Sequence, residues 1–248
     1  MTGWGALEAE LAHWDAPPTM WWRDDDAQAA SPALDRLIAQ AERAGAPLHL
    51  GVIPEGLSDT LRDRLERAED VWVLQHGLRH KNHEPKGLRP SEIGESRDLA
   101  LQRADLAEGW AALQGMPRLL PVIAPPWNRI GAATARALPG WGYTLLTTHG
   151  PRAEQEAVPG LMRVNLHFDP IRWKGGAHFR GVEGTLKSLV AHLAYRRKND
   201  RDEPTGLTTH HLQTDDATWA FQDALLDRLA GRVRWVRLAD RMEGTWST

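Results

Sequence analysis

Short apolar runs alternate with helically spaced apolar residues along the whole chain. "TMWWR" (19–23), "PLHLGVI" (47–53), "VWVLQ" (71–75) and "LLPVIA" (119–124) are short and apolar throughout, and read as buried strands. "YTLLTT" (143–148), "LMRVNLHF" (161–168), "GLTTHHL" (206–212) and "VRWVRL" (233–238) continue the series. Between them, Leu34, Leu37, Ile38 and Ala41 share one helical face behind a Ser31-Pro32 start. Leu57, Leu61 and Leu65 suggest a second helix, and Leu99, Leu106, Trp110 and Leu113 a third. Further helices are predicted over 131–138, through Leu186, Leu189, Val190 and Leu193, and over 215–230.

Repeated strand-then-helix order predicts a parallel sheet. About seven such units favour a distorted (β/α)7-type barrel with outer helices over an open doubly wound sheet. No repeat or low-complexity linker interrupts the 248 residues, so a single domain over 1–248 is expected. No GxGxxG or P-loop string follows a strand, which removes support for dinucleotide or nucleoside triphosphate binding.

Charge and composition narrow the chemistry. A net charge of -3 and the lack of a basic stripe argue against nucleic acid as partner. The absence of cysteine excludes disulfides and thiolate metal sites, so any metal must use His, Asp or Glu. Residues 1–18 show neither a basic nor an apolar leader region, and no run is long enough to span a membrane. The expected compartment is the cytoplasm. Tryptophan is abundant, at 12 residues; most are expected in the core, and some are available to stack on sugar rings.

Polar residues gather at the expected C-terminal ends of the strands. Asp24, Asp25 and Asp26 follow the first, "QHGLRHKNH" the third, "APPWNR" the fourth, "HFDPIRW" the sixth, and His210 and His211 the seventh. In an α/β barrel these ends converge on one mouth, where active sites lie. His76 and His80 are spaced H-x3-H, which on a helical turn would direct both rings at one ion. Two imidazoles and one carboxylate form a common zinc set with an open position for water, and a second carboxylate beside it can serve as base.

The sequence resembles the polysaccharide deacetylase superfamily, the NodB-homology domains of carbohydrate esterase family four. The resemblance runs from about Trp21 to about His211. It implies a base at Asp25 and metal ligands at Asp26, His76 and His80. "APPW" matches the last three positions of an R-P-P-aromatic loop, placing Pro126 and Trp127 in the pocket wall. "DPIRW" matches D-x-x-D-W with Asp169, which would orient a histidine, and Trp173, which would line the pocket. "LTTHH" supplies the acid, with His210 favoured over His211. Ala124 stands where the family has a base-orienting arginine, a role that Arg129 or Arg23 would take, and Arg172 replaces a second aspartate. Asp24 has no role in this scheme and is expected to be solvated or paired with an arginine.

The resemblance implies hydrolysis of an acetyl group, N-acetyl before O-acetyl, from a sugar or polysaccharide precursor, with a divalent metal, Zn²⁺ first. An acetylated carbohydrate, such as a nucleotide- or lipid-linked sugar, is the expected partner. Two alternatives remain: a carbohydrate-binding domain that has lost the reaction, and an amidohydrolase acting on a small non-sugar amide.

Overall fold

The computed structural model describes residues 3–200 and 202–242; residues 1–2 and 243–248 of the expected domain lie outside these. In chain order the elements are α1 (Trp4–Leu11), β1 (Thr19–Ala27), α2 (Pro32–Ala44), β2 (Leu48–Val52), α3 (Asp59–Glu66), β3 (Val71–Gln75), α4 (Leu99–Leu113), β4 (Leu119–Ile123), α5 (Ala132–Ala137), β5 (Leu145–Leu146), β6 (Glu156–Val158), β7 (Leu161–Arg163), β8 (Ile171–Arg172), β9 (His178–Phe179), α6 (Val182–Asn199), β10 (Thr205–Thr209), α7 (Asp216–Leu229), β11 (Arg234–Trp235) and α8 (Leu238–Met242). The alternation of strand and helix is that of a distorted (β/α) barrel. Two compact units share the chain: one of Met1–Asp24, Pro32–Leu48 and Leu166–Thr248, the other of Asp25–Ser31 and His49–Asn165.

In the first unit β1 pairs in parallel with β10, Met20 opposite Thr205 through Asp24 opposite Thr209, and also with β11. Trp21 and Trp22 are fully buried, and the Trp22 indole donates to Thr209 Oγ1 at 2.9 Å, the partner a buried indole N–H requires. Pro32 opens α2, where its fixed φ suits the first turn, and Leu34, Leu37, Ile38 and Ala41 form the buried stripe the spacing predicts. Each of the two leucines and the isoleucine contributes on the order of 2 kcal/mol by leaving water. Arg196 of α6 is also fully buried. Its two terminal nitrogens donate to Thr19 O, Thr19 Oγ1 and Thr205 Oγ1, joining α6 to two strands.

In the second unit the strand order is β2-β3-β4-β5-β7-β6, with β6 and β7 antiparallel. Helix starts follow local chemistry: Ser58 caps α3 by accepting from Thr60 N, and Asp98 caps α4 by accepting from Ala100 N. Ile93, Leu106, Ile123, Leu138, Tyr143, Leu146 and Leu161 form one apolar cluster. The Tyr143 hydroxyl donates to Gln75 Oε1 at 2.6 Å, and Gln75 Nε2 donates to the carbonyls of Gly77 and Leu106. This buried brace fixes the end of β3, one residue before His76.

Several boundaries differ from expectation. β1 extends through Ala27, so the aspartates lie within the strand instead of after it. Within the run 161–168 the strand is confined to Leu161–Arg163, which lies between β5 and β6, and Phe168 forms an isolated bridge with Leu207. α1 and the small β8–β9 hairpin carry too weak a pattern to have been expected.

Candidate active site

Asp26, His76 and His80 come together in the second unit. Asp26 Oδ1 lies 3.3 Å from His76 Nε2 and 3.6 Å from His80 Nε2. One potential ligand atom from each residue lies within 4.8 Å of the others. His76 Nδ1 lies 2.7 Å from the buried Ala124 carbonyl, which can only accept, so this nitrogen carries the proton and the Nε2 lone pair faces Asp26. Burial, and then the neighbouring His76, push His80 below the usual imidazole range, with Asp26 opposing; His80 is therefore neutral near pH 7. Two neutral imidazoles and one carboxylate fit a divalent cation of the zinc type.

The convergence of these rings has a different origin from the one expected. Residues 76–80 form a loop, not a helical turn, with Gly77 at φ 64° and His80 at φ 52°. A buried Glu92 holds that loop, its carboxylate accepting from Leu78 N and Arg79 N. A Cβ on Gly77 would lie 1.9 Å from Glu92 Oε2, so glycine is required there by both φ and space. Asp26 is likewise left-handed, at φ 71°. This reversal inside β1 breaks the alternation of side chains and turns Asp26 to the histidines. Trp127 and Asn128, at φ 55° and 56°, complete a group whose only other non-glycine member among the described residues is Arg118. Such conformations cost about 1–3 kcal/mol each and persist where the surroundings impose them.

Asp25 is buried, 1% exposed, beside Gly51 of β2. A Cβ at Gly51 would stand 2.4 Å from Asp25 Oδ1 and 3.5 Å from His76 Cβ. Neither Gly51 nor Glu92 belongs to a motif, and their roles become visible only once the loops are placed. Trp127 packs its ring 4.3 Å from that of His80, and Pro126 beside it in the chain is buried. Arg129 donates to the Pro90 carbonyl at 2.9 Å, and Arg23 is fully buried in β1.

The other predicted residues lie in the first unit. Asp24 is not solvated. It is fully buried, and its carboxylate accepts from Thr209 Oγ1 at 2.7 Å, His211 N at 2.9 Å and His211 Nδ1 at 2.5 Å. His210 is half-buried and meets Trp173 edge-on at 4.5 Å. Asp169 accepts from Ile171 N at 2.7 Å and Trp173 Nε1 at 2.8 Å, which orients the tryptophan.

A second histidine–carboxylate group, not foreseen, is fully enclosed in that unit: His167, His192 and Glu203. Gly206 N donates to His167 Nδ1, leaving the proton on Nε2, 3.1 Å from Glu203 Oε1. Arg196 donates to Thr205 Oγ1, whose own hydrogen is then available to His192 Nδ1, 3.1 Å away. His192 Nε2 thus also bears a proton toward Glu203, at 3.6 Å. Protons on both Nε2 atoms suit a structural network rather than metal ligation, which needs those lone pairs.

No family model matches the sequence, and no curated relative does. Solved structures match over most of the chain. A probable polysaccharide deacetylase from Pseudomonas aeruginosa superposes with a TM-score of 0.65 at 14% identity, covering 92% of this chain and 91% of its own. The chain has the fold of the polysaccharide deacetylases. The Puue allantoinase shares this fold, with a TM-score of 0.64 at 13% identity over 92% of this chain and 90% of the other. So does a family 4 acetyl xylan esterase from Clostridium thermocellum, crystallised with a cobalt ion, with a TM-score of 0.56 at 11% identity over 91% and 92% of the two chains. Among the described residues no helix is long and apolar enough to cross a membrane.

Proposed function

We propose that this chain is a metal-dependent deacetylase of the polysaccharide deacetylase superfamily, removing an N-acetyl group from a sugar or a sugar precursor. The observation that carries the reading is the convergence of Asp26, His76 and His80 beside the buried Asp25. Asp26, His76 and His80 would hold the cation; when bound, a cation of this kind polarises an acetyl carbonyl and acidifies water. Asp25 takes the proton of the attacking water. It is held in place by the space that Gly51 leaves open. Trp127 walls the acetyl pocket against His80. His210 delivers the proton to the leaving amine, following the family's pattern of a histidine that closes the last strand. Its partial exposure against Trp173 favours it over His211, whose ring is committed to Asp24.

The allantoinase of the same fold favours one second reading, hydrolysis of a small non-sugar amide. One experiment separates the two: zinc-loaded protein is assayed for acetate release from N-acetylated oligosaccharides, and in parallel for hydrolysis of allantoin. Acetate release that disappears in Asp25→Asn supports deacetylation. Turnover of allantoin alone replaces it.

A further inference from the structure

Of the three proposed ligands, His80 alone adjoins no strand. Asp26 lies within β1 and His76 directly follows β3, whereas His80 ends the 76–80 loop. Its left-handed turn, φ 52°, hinges on the peptide that joins it to Arg79. Arg79 is tied down at both ends. Its backbone N–H donates to Glu92 Oε1 at 2.7 Å. In its side chain, Nε donates to Glu55 Oε1 at 2.8 Å, Nη1 to Asp105 Oδ1 at 3.2 Å and Nη2 to Glu108 Oε1 at 3.2 Å.

The three carboxylates come from two other elements. Glu55 follows β2, and its own N–H donates to Leu78 O at 2.9 Å, joining the two loops through the backbone as well. Asp105 and Glu108 lie one turn apart on α4, on the face that also carries Gly109. A Cβ on Gly109 would stand 3.1 Å from Gly77 O, so this face of the helix rests directly on the metal loop. Arg97 pairs with the other oxygen of Asp105 and fixes that carboxylate from a second side. One planar guanidinium thus meets three carboxylates in three directions, which the point charge of a lysine cannot do. Arg79 is partly exposed, and Glu55 and Glu108 are exposed, so these pairs add little to overall stability. Their effect is local: they fix the residue from which His80 turns.

We propose that Arg79 is a positioning residue for the metal site, its three-way fork holding His80 in the orientation that ligates; this rests on the metal reading proposed above. The sign of one effect separates positioning from charge. Removing a cation near a dication should, by electrostatics alone, tighten metal binding. Loss of positioning should weaken it. Metal-free parent, Arg79→Gln and Arg79→Lys are titrated with Co²⁺, following the visible absorption band that reports ligand number and geometry. Both variants should bind about tenfold more weakly than the parent, the lower end for loss of an outer support, with a displaced band at saturation. Arg79→Lys keeps the charge, so its loss isolates the fork. Urea unfolding of the metal-free variants should keep the parent's midpoint. Affinity that is unchanged or higher in Arg79→Gln, a loss that Arg79→Lys fully restores, or weaker binding only together with a lower midpoint overturns the proposal. A parent that takes up no cobalt overturns the metal reading with it, whereas a parent that binds and variants that match it overturn the role of Arg79 alone.

Discussion

Asp24 holds the His211 ring and its backbone N–H with one fully buried carboxylate, Oδ1 at 2.5 Å from Nδ1 and Oδ2 at 2.9 Å from the amide. Thr209 Oγ1 supplies a third donor. A buried carboxylate is tolerable only with such compensation. Asp24→Asn brings an amide N–H against groups that donate, and should cost about 3 kcal/mol in urea unfolding, the scale for breaking a buried pair. His211→Ala should cost stability as well, whereas His210→Ala should leave the unfolding midpoint near the parent's, remove the alkaline limb of the pH–rate profile and lower kcat. The opposite pattern would move the acid to His211.

The metal set is open to a direct count. Protein purified without chelator should carry close to one divalent ion per chain, and Asp26→Ala or His80→Ala should lose it. An intact His80→Ala protein with full occupancy would remove His80 from the site. Glu92→Gln is the subtler variant. The side chain touches no ligand atom but fixes the loop that carries His80, so metal affinity should fall by about 10- to 100-fold, the usual effect of losing an outer support.

Gly51 tests the placement of the base. In Gly51→Ala the new methyl would lie 2.4 Å from Asp25 Oδ1, so the carboxylate must move. Activity should fall by at least about 100-fold, as for loss of a general base, with the metal retained. Asp25→Asn should do the same. If Gly51→Ala is fully active, Asp25 is not where the water is activated.

The strands and the candidate residues were legible because they depend on local signals. "VWVLQ" reads as a short buried strand, and H-x3-H with an aspartate cluster offers two imidazoles and a carboxylate that a fold can bring together. What was not legible depends on tertiary contacts. A helical turn for His76–His80 is what spacing suggests, but Gly77 and the buried Glu92 bend the segment into a loop. Three consecutive aspartates look alike in sequence. Only the pairing of Asp24 opposite Thr209 in β10 and the reversal at Asp26 give them separate partners. His167, His192 and Glu203 have no motif spacing at all, and become a group only when α6 packs on β10.

That last group makes a pH-dependent prediction. Burial alone would raise the Glu203 carboxyl, but the hydrogen bond from His167 and the close approach of His192 outweigh it and hold the group down at about 2, against 4.5 for an ordinary glutamate. A carboxyl depressed in the folded state gives stability that is fully present above its unfolded value, near 4.5, and is lost as pH falls through about 2. The difference corresponds to about 3 kcal/mol. His192 acts in the same direction at higher pH. Burial lowers it from 6.5, so below that value the unfolded chain gains a proton that the folded one refuses. Urea unfolding followed from neutral pH to about pH 2 should therefore show a steady loss of stability in the parent. Glu203→Gln should be less stable at neutral pH, because its amide N–H faces imidazole N–H groups, and its stability should fall less steeply below pH 4.5. Parallel curves for the two proteins would show that Glu203 is not held ionised by the two histidines.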